Sequence, residues 1–149
     1  MTSPPVPIAE TAGLKLHHIG FVVSDIAASV SGFIRSLGAS WDQRIYEDPQ
    51  QAVKVTFLTT RPGDAQIELV EPAGEHSPVL RFLRERGGGM HHLCYEVNDL
   101  ERHIAEMKSR GSLIARRAKP AVAFQGRRIA WMLTAEKLLV ELLEASQPS

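Results

Sequence analysis

The sequence LHHIGFVVSDI, residues Leu16–Ile26, has a counterpart in MHHLCYEVNDL, residues Met90–Leu100. Each stretch contains a His-His pair, a largely apolar segment and an Asp suited to start a helix, and the second stretch lies 74 positions after the first. A second pair, IELVE at Ile67–Glu71 and VELLE at Val140–Glu144, recurs at a separation of 73. Two repeats at nearly one spacing predict a tandem duplication of a unit of roughly seventy residues.

Each copy has the residue pattern of a βαβββ unit. In the first copy, a β-type segment at Leu14–Val23 leads to a helix start at Ser24–Asp25, and the helical spacing ends at Gly38. The β-type runs that follow are Trp41–Tyr46, Val53–Thr60 and Gln66–Val70. The second copy repeats this order, with a helix start at Asn98–Asp99 and an end at Gly111. Its later β-type runs are Ser112–Arg116, Arg128–Leu133 and Leu138–Leu143. The sequence therefore predicts an α+β domain of two tandem βαβββ modules.

The two modules are expected at residues 14–72 and 90–145, joined by a linker at 73–89. Within the linker, Ser77 and Pro78 match the N-cap and first residue of a short helix, and Gly87–Gly89 ends it. Residues 1–13, with three prolines, are predicted to form a flexible N-terminal tail. Residues 14–149 are then one domain.

Composition excludes several function classes. The 149 residues contain 17 Lys and Arg against 17 Asp and Glu, so the net charge is zero and lacks the basic excess of a nucleic-acid binder. One cysteine, Cys94, excludes an internal disulfide framework and is compatible with a reducing compartment. The chain shows no signal-peptide pattern and no apolar run long enough to span a bilayer. We expect a cytoplasmic protein.

The duplication places one His and one Glu at equivalent positions in each copy. His18 and Glu68 belong to the first copy, and His92 and Glu141 to the second. If the copies pack with approximate two-fold symmetry, the four side chains meet at one point. Two imidazoles and two carboxylates suit Zn, Mn, Co, Ni or Fe better than Ca. Four protein ligands on a six-coordinate ion leave two positions for a substrate with two oxygens.

The polar neighbours of these four residues have the opposite strand parity. Because successive strand residues face opposite sides, we expect these neighbours to point away from the four candidates and the two glutamates among them to be solvated. They are His17, Glu71, His91 and Glu144. The alternative interpretation is that the histidines on these strands are structural.

Four stretches carry a resemblance to a known superfamily. They are His17–Gly20 leading to Asp25, Glu68–Pro72 leading to Ser77 and Pro78, Gly88–Leu93, and Leu139–Leu142. In these stretches the chain resembles the vicinal oxygen chelate superfamily, the glyoxalase/bleomycin resistance/dioxygenase group, and within it the methylmalonyl-CoA epimerases. The likeness covers about residues 14–145.

The resemblance implies a cupped, barrel-like mixed sheet around a metal site. The implied ligands of a divalent ion, such as Co, Zn, Mn or Ni, are His18, Glu68, His92 and Glu141. The implied activity is that of an isomerase or epimerase that removes an α-proton from an acyl thioester such as methylmalonyl-CoA, with Glu141 as the first candidate for the base. A homodimer is expected, without nucleic-acid or membrane partners. The alternatives are a glyoxalase-type lyase or isomerase and a non-catalytic ligand-binding protein of the antibiotic-resistance type.

Two features depart from the epimerase pattern. Some bacterial epimerases carry a catalytic Glu on the strand where this chain has Val55, and the loop Leu133–Lys137 is shorter than theirs. Either change can alter the substrate while leaving the metal ligands intact. Lys108–Arg128 holds seven basic residues and no acidic one, so it is either a solvated face or an acceptor for an anion such as a CoA phosphate. Cys94 and Glu96 share the strand parity of His92. Cys94 is expected to be a buried inert thiol, with a place in the site wall as the alternative, and Glu96 is a less favoured candidate for a second base at the rim.

Overall fold

The computed structural model describes residues 14–146, and the tail predicted at 1–13 lies outside the described residues. Within this range there are nine strands and three α-helices. The strands are β1 (Lys15–Val22), β2 (Ser40–Trp41), β3 (Tyr46–Asp48), β4 (Val53–Thr59), β5 (Gln66–Pro72), β6 (Gly89–Val97), β7 (Leu113–Pro120), β8 (Arg128–Leu133) and β9 (Leu139–Glu144). The helices are α1 (Ile26–Leu37), α2 (Leu80–Arg86) and α3 (Leu100–Ser109), with a 3-10 helix at Val122–Phe124.

The strands form one mixed sheet whose order reflects the duplication. That order is β2-β4-β5-β1-β6-β9-β8-β7, with β3 also paired to β4. In each module the first strand pairs in parallel with the last, β1 with β5 and β6 with β9. The modules meet where β1 and β6 pair antiparallel. The predicted tandem βαβββ arrangement is confirmed, and its four central strands are the ones that carry the candidate ligands.

The first helix of each module covers the outer side of these central strands. Ile26 of α1 is buried in a cluster with Leu69 of β5, and Leu100 of α3 is buried in an equivalent cluster with Leu142 of β9. Since side chains alternate along a strand, the residues flanking Leu69 and Leu142 face the inner side. Packing of the two helices therefore fixes which residues of β5 and β9 face inward.

The helix starts follow the sequence prediction. Asp25 accepts a hydrogen bond from the Ala28 backbone N–H at 3.2 Å, and Asp99 accepts one from the Arg102 backbone N–H at 3.1 Å. These are side-chain N-caps, which stabilise a helix by about 1 kcal/mol. Helix α1 ends at Gly38, whose φ of 63° is the left-handed conformation that glycine adopts at low cost.

Three predicted elements have different bounds in the structure. The run Trp41–Tyr46 is two short strands, because the Arg44 N–H donates to Asp42 at 2.9 Å in a turn and Gln43 has a φ of 67°. Helix α2 begins at Leu80 instead of Pro78, since Ser77 to Leu80 form a turn closed by a 3.2 Å backbone hydrogen bond. Strand β7 continues past Arg116 to Pro120, through two irregularities in its pairing with β8.

The sheet is strongly curved but open. Its end strands, β2 and β7, are not paired with each other in the described residues. The two ends approach through side chains: Arg116 Nη1 donates to Gln51 Oε1 at 3.4 Å, and the Val122 backbone N–H donates to Asp48 Oδ2 at 3.3 Å. The curvature encloses a cavity over the central strands. In residues 14–146, no helix has the length and apolarity needed to cross a membrane.

Candidate metal centre

The four residues predicted from the duplication converge on the inner side of the sheet. His18 lies on β1, Glu68 on β5, His92 on β6 and Glu141 on β9. Their exposed fractions are 0%, 4%, 4% and 3%, so all four are buried. Four polar side chains from four adjacent strands are thus buried at one place on the inner side of the sheet.

Their side-chain atoms are within a few ångströms of one another. His18 Nε2 lies 3.3 Å from His92 Nε2, 3.0 Å from Glu141 Oε1 and 3.5 Å from Glu68 Oε1. His92 Nε2 lies 3.3 Å from Glu68 Oε1 and 3.9 Å from Glu141 Oε1. Both imidazoles therefore turn the same nitrogen, Nε2, towards the carboxylates.

This donor set fits a divalent metal ion. Buried carboxylates are costly unless a cation compensates them, and the cluster holds two. Glu141 Oε1 is buried without a properly oriented hydrogen-bond donor among the described residues, so it has coordination capacity left. One ligand atom each from His18, Glu68 and His92 lies within 4.8 Å of the others. Imidazole nitrogen with carboxylate oxygen is a set that Zn and other first-row divalent metals accept.

The inner histidines and the glutamates of the cluster shift each other's pKa values. Burial lowers the pKa of His18, but the charge of Glu68 and hydrogen bonds with Cys94, Glu141 and Glu68 outweigh it and hold that pKa well above its ordinary value. Burial raises the pKa of Glu68, while the charges and hydrogen bonds of His18 and His92 bring it far below its usual range. The two side chains therefore stabilise each other's charged forms.

The outer histidines of the two His-His pairs are wrongly predicted to point away from the inner ones. His17 Nδ1 lies 2.8 Å from His18 Nδ1, and His91 Nδ1 lies 2.9 Å from His92 Nδ1. The reason is a register shift at each position. Leu16 pairs with Tyr95 and His18 with Cys94, so His17 is an extra residue in β1. A β-bulge of this kind re-aims a side chain and breaks strict alternation.

The same shift occurs at the second outer histidine. Gly20 pairs with His92 and Phe21 with Met90, which leaves His91 as the extra residue in β6. Burial and the neighbouring His92 lower the pKa of His91 to about 4, and burial and His18 lower the pKa of His17. Both outer rings are thus neutral at physiological pH. The doubled His-His motif was the available sequence signal for this contact.

Gly20 and Cys94 occupy equivalent positions beside the inner histidines. Gly20 is the cross-strand partner of His92, and a Cβ built on Gly20 would collide with the His92 ring atoms Cε1, Nδ1 and Nε2. Cys94 is the cross-strand partner of His18 and is fully buried as a free thiol. Burial, then the charge of Glu141, raises the pKa of Cys94 well above its ordinary value. Cys94 therefore stays protonated, in line with the inert thiol predicted.

The two glutamates of opposite parity are not simply solvated, contrary to the prediction. Glu71 Oε1 accepts a hydrogen bond from the Ile26 backbone N–H at 2.8 Å, at the start of α1. Glu144 pairs with Arg128 at 3.0 Å. Their side chains are only 19% and 26% exposed. Each faces the outer side as predicted, but each has a partner there. Glu71 contacts the N-terminus of α1, and Glu144 contacts the guanidinium of Arg128.

A cavity of about 200 Å³ opens directly above the cluster. Glu68, His92 and Glu141 line it, so the candidate ligands are accessible from it. Most of its remaining wall is apolar and includes Val53, Val55, Val70, Val79, Phe124 and Trp131. Gln51 and Arg116 line its rim, where they contact each other. The cavity therefore combines a polar base, apolar walls and one cationic side chain at the edge.

Other candidates from the sequence lie elsewhere. Glu96 pairs with Arg127 at 3.2 Å and does not line this cavity, so the structure gives no support to its role as a second base. The basic residues of Lys108–Arg128 have different surroundings. Arg127 and Arg128 form salt bridges with glutamates, and Arg116 reaches the cavity rim. Val55, at the position where some epimerases carry a catalytic Glu, is buried in the cavity wall.

Comparison with known proteins agrees with this architecture. Residues 17–131 match the Glyoxalase/Bleomycin resistance protein/Dioxygenase superfamily. The chain belongs to this superfamily. The match includes both outer and inner histidines and Glu68, and it ends before Glu141.

Relatives with named activities are epimerases. The chain is 30% identical over 119 residues to the ethylmalonyl-CoA/methylmalonyl-CoA epimerase of Cereibacter sphaeroides, covering 79% of this chain and 87% of that protein. It is 30% identical over 97 residues to the human mitochondrial methylmalonyl-CoA epimerase, covering 64% of this chain and 53% of that protein. The crystal structure of methylmalonyl-CoA epimerase from Mycobacterium tuberculosis superimposes with a TM-score of 0.78 at 26% identity, covering 96% of this chain and 94% of that one.

Proposed function

We propose that this protein is a divalent-metal-dependent epimerase that acts on an acyl-CoA thioester with an acidic α-proton, such as methylmalonyl-CoA. The observation that carries this proposal is the cluster His18, Glu68, His92 and Glu141 at the base of a mostly apolar cavity. The named activities of the relatives supply the substrate class.

The four clustered residues would hold the metal ion, His18 and His92 through Nε2 and the glutamates through carboxylate oxygens. When bound, such an ion draws electron density from two substrate oxygens and so makes the adjacent carbon a stronger acid. The proposed ion is one of Co, Zn, Mn and Ni, because this donor set accepts each of them.

Glu141 is the proposed proton acceptor. Glu68 Oε1 lies within 3.5 Å of Nε2 of both inner histidines, so this carboxylate contacts both candidate ligand rings. Glu141 lines the cavity, and its Oε1 lies 3.0 Å from His18 Nε2 without a well-oriented donor, which favours Glu141 as the proton acceptor. The two glutamates are equivalent in the duplication and have similar histidine contacts, and the poor alignment of donors at Glu141 Oε1 supports Glu141 as the base.

The cavity wall suits a small acyl group. Val53, Val55 and Val70 offer apolar surface beside the cluster, which excludes water from the reacting carbon. Arg116 at the rim is a donor for an anionic part of the carrier, which keeps the thioester end directed outwards. The carboxylate that some epimerases carry at the Val55 position is replaced here by an alkyl group, so proton transfer depends on the carboxylates of the cluster.

The test is exchange of the substrate α-proton in deuterated water, followed by NMR with methylmalonyl-CoA and saturating metal. Glu141→Gln keeps an oxygen ligand but removes the base, so exchange should fall by at least ~10²-fold. Glu68→Gln is the matched control from the other module and should retain more activity. Equal losses in the two variants would show that Glu141 has no special role.

Wild-type behaviour separates the proposed activity from its alternatives. Elemental analysis after reconstitution should give close to one divalent ion per chain. A folded protein that binds no metal would contradict the enzyme proposal and favour a ligand-binding protein. Metal binding without exchange on any acyl-CoA would instead favour a glyoxalase-type reaction on another substrate. The homodimer and the cytoplasmic location remain predictions, the first open to sedimentation analysis.

A further inference from the structure

We propose that the outer histidines, His17 and His91, are positioning residues that hold the inner histidines in the tautomer needed to bind the metal. This inference rests on the metal site proposed above and extends it to residues outside the ligand set. It starts from the orientation of the two inner rings. Both direct Nε2 at the carboxylates, so both must have Nε2 unprotonated to act as ligands.

A neutral imidazole with a bare Nε2 carries its proton on Nδ1, and that N–H needs an acceptor. The atom within hydrogen-bond distance of each inner Nδ1 is the Nδ1 of the preceding residue: His17 at 2.8 Å from His18, and His91 at 2.9 Å from His92. The inner ring then donates and the outer ring accepts. The outer ring keeps its own proton on Nε2.

The backbone is built to make this contact. Residues adjacent on a regular strand face opposite sides, so their rings would not normally meet. At both outer histidines the β1–β6 pairing skips one residue, once on each strand. The bulges sit at equivalent points of the two modules and turn each outer ring edge-on to its inner neighbour, with interplanar angles of 81° and 89°.

His91 is the sharper of the two test positions. The cross-strand partner of His92 is Gly20, which has no side chain to offer, whereas that of His18 is Cys94, whose Sγ lies within 4.8 Å of a His18 ring nitrogen. The His91 ring also packs edge-on against Phe82, with centroids 4.9 Å apart. A purely structural role would depend on that ring packing. A positioning role would depend on the acceptor at Nδ1.

Two substitutions separate these roles because they change different properties. His91→Asn places an amide oxygen where Nδ1 lies, which keeps an acceptor and removes the ring. His91→Phe keeps the ring and its contacts and removes the acceptor. The measurement is the zinc dissociation constant of the full chain at neutral pH, by competition with a chromophoric chelator and without any substrate.

We expect His91→Phe to weaken zinc binding 10–100-fold, the usual effect of losing the hydrogen-bond partner of a ligand histidine, and His91→Asn to stay close to wild type. Long-range ¹H–¹⁵N spectra should show the His92 proton on Nδ1 in the zinc-bound wild-type protein. The reverse order of affinities, equal affinities, or a wild-type protein without zinc binding would overturn the proposal. If His91→Phe does not fold, the His17→Asn and His17→Phe pair decides by the same criterion.

Zinc affinity is independent of turnover, so the result also stands apart from the proposed epimerase activity. A chain that shows the predicted order of affinities but no α-proton exchange would leave the positioning role intact and reject the substrate. If the wild-type chain exchanges the α-proton but His91→Asn and His91→Phe bind zinc equally well, the substrate proposal stands and the positioning role is rejected.

Discussion

Replacing Gly20 by alanine tests the geometry of the centre through a single methyl group. Gly20 lies opposite His92 across the β1–β6 seam, and a Cβ there would overlap three atoms of the His92 ring. The ring cannot simply move back. Its other sides contact the Trp131 ring, with centroids 4.7 Å apart, and the His91 ring at 5.2 Å. The added methyl must therefore displace either His92 or the strand beneath it.

The expected loss of stability and the expected loss of zinc affinity can both be estimated. Overpacking a buried site costs about 1–3 kcal/mol of stability, which for a chain of this length lowers the melting temperature by roughly 2–4 °C per kcal/mol. Displacing one of four ligands should raise the zinc dissociation constant by at least ~100-fold, or about 2.7 kcal/mol of binding free energy. We expect Gly20→Ala to show both effects, with the zinc effect the larger.

Thermal unfolding of the metal-free protein and chelator competition for zinc measure the two quantities. Gly32→Ala is the matched control, because Gly32 lies within α1 and a Cβ there meets nothing within 4 Å. That substitution should leave zinc affinity unchanged and raise stability by about 0.8–1 kcal/mol, the helix-propensity difference. A Gly20→Ala protein with wild-type zinc affinity and wild-type melting temperature would refute the placement of the His92 ring against Gly20.

Two further predictions concern pH. Zinc affinity should fall as pH is lowered from about 7.5 to 5, because an imidazole binds a metal only in its unprotonated form; a chelator-competition series that is flat over this range would contradict histidine ligation. Above pH 6.5, the stability of the metal-free protein should fall as pH rises. The folded-state pKa of His18 is raised above its ordinary 6.5, so its stabilising contribution is full below that value and is lost as pH rises through the folded pKa. Melting temperatures with chelator present should decline over this range, and His18→Gln should remove that decline; an equal decline in both proteins would exclude His18 as its source.

Much of this architecture follows from local sequence rules. The caps at Asp25 and Asp99 use a short polar side chain next to an apolar helical pattern, and this is visible without tertiary information. The duplication likewise puts His18, Glu68, His92 and Glu141 on equivalent strands, and their meeting follows once the modules pair through β1 and β6. Their role as metal ligands stays a prediction.

The errors have a common physical cause. Strand parity assumes an unbroken pleat, and a bulge at His17 or His91 adds one residue that no composition rule marks. Parity also says which side a residue faces but not what lies there. Glu71 faces outwards, yet the start of α1 packs over it and provides a backbone donor. Partners of this kind come from tertiary packing and are invisible in a single sequence.

The two-fold relation between the modules explains the location of the centre, and its violations explain how the centre can distinguish two carboxylates. A strictly symmetric cluster would give Glu68 and Glu141 identical partners and identical basicity. Here the residue beside His92 is Gly20 and the residue beside His18 is Cys94, so the two rings have different neighbours. The distances themselves keep the two-fold relation. The short contacts are His18 to Glu141, at 3.0 Å, and His92 to Glu68, at 3.3 Å, and the long contacts are His18 to Glu68, at 3.5 Å, and His92 to Glu141, at 3.9 Å. Glu141 Oε1 is fully buried without a well-oriented donor in the described cluster. Divergence at the Gly20 and Cys94 positions, outside the ligand set, is therefore where we expect a difference between the two carboxylates, and with it the proposed role of Glu141 as the base, to arise.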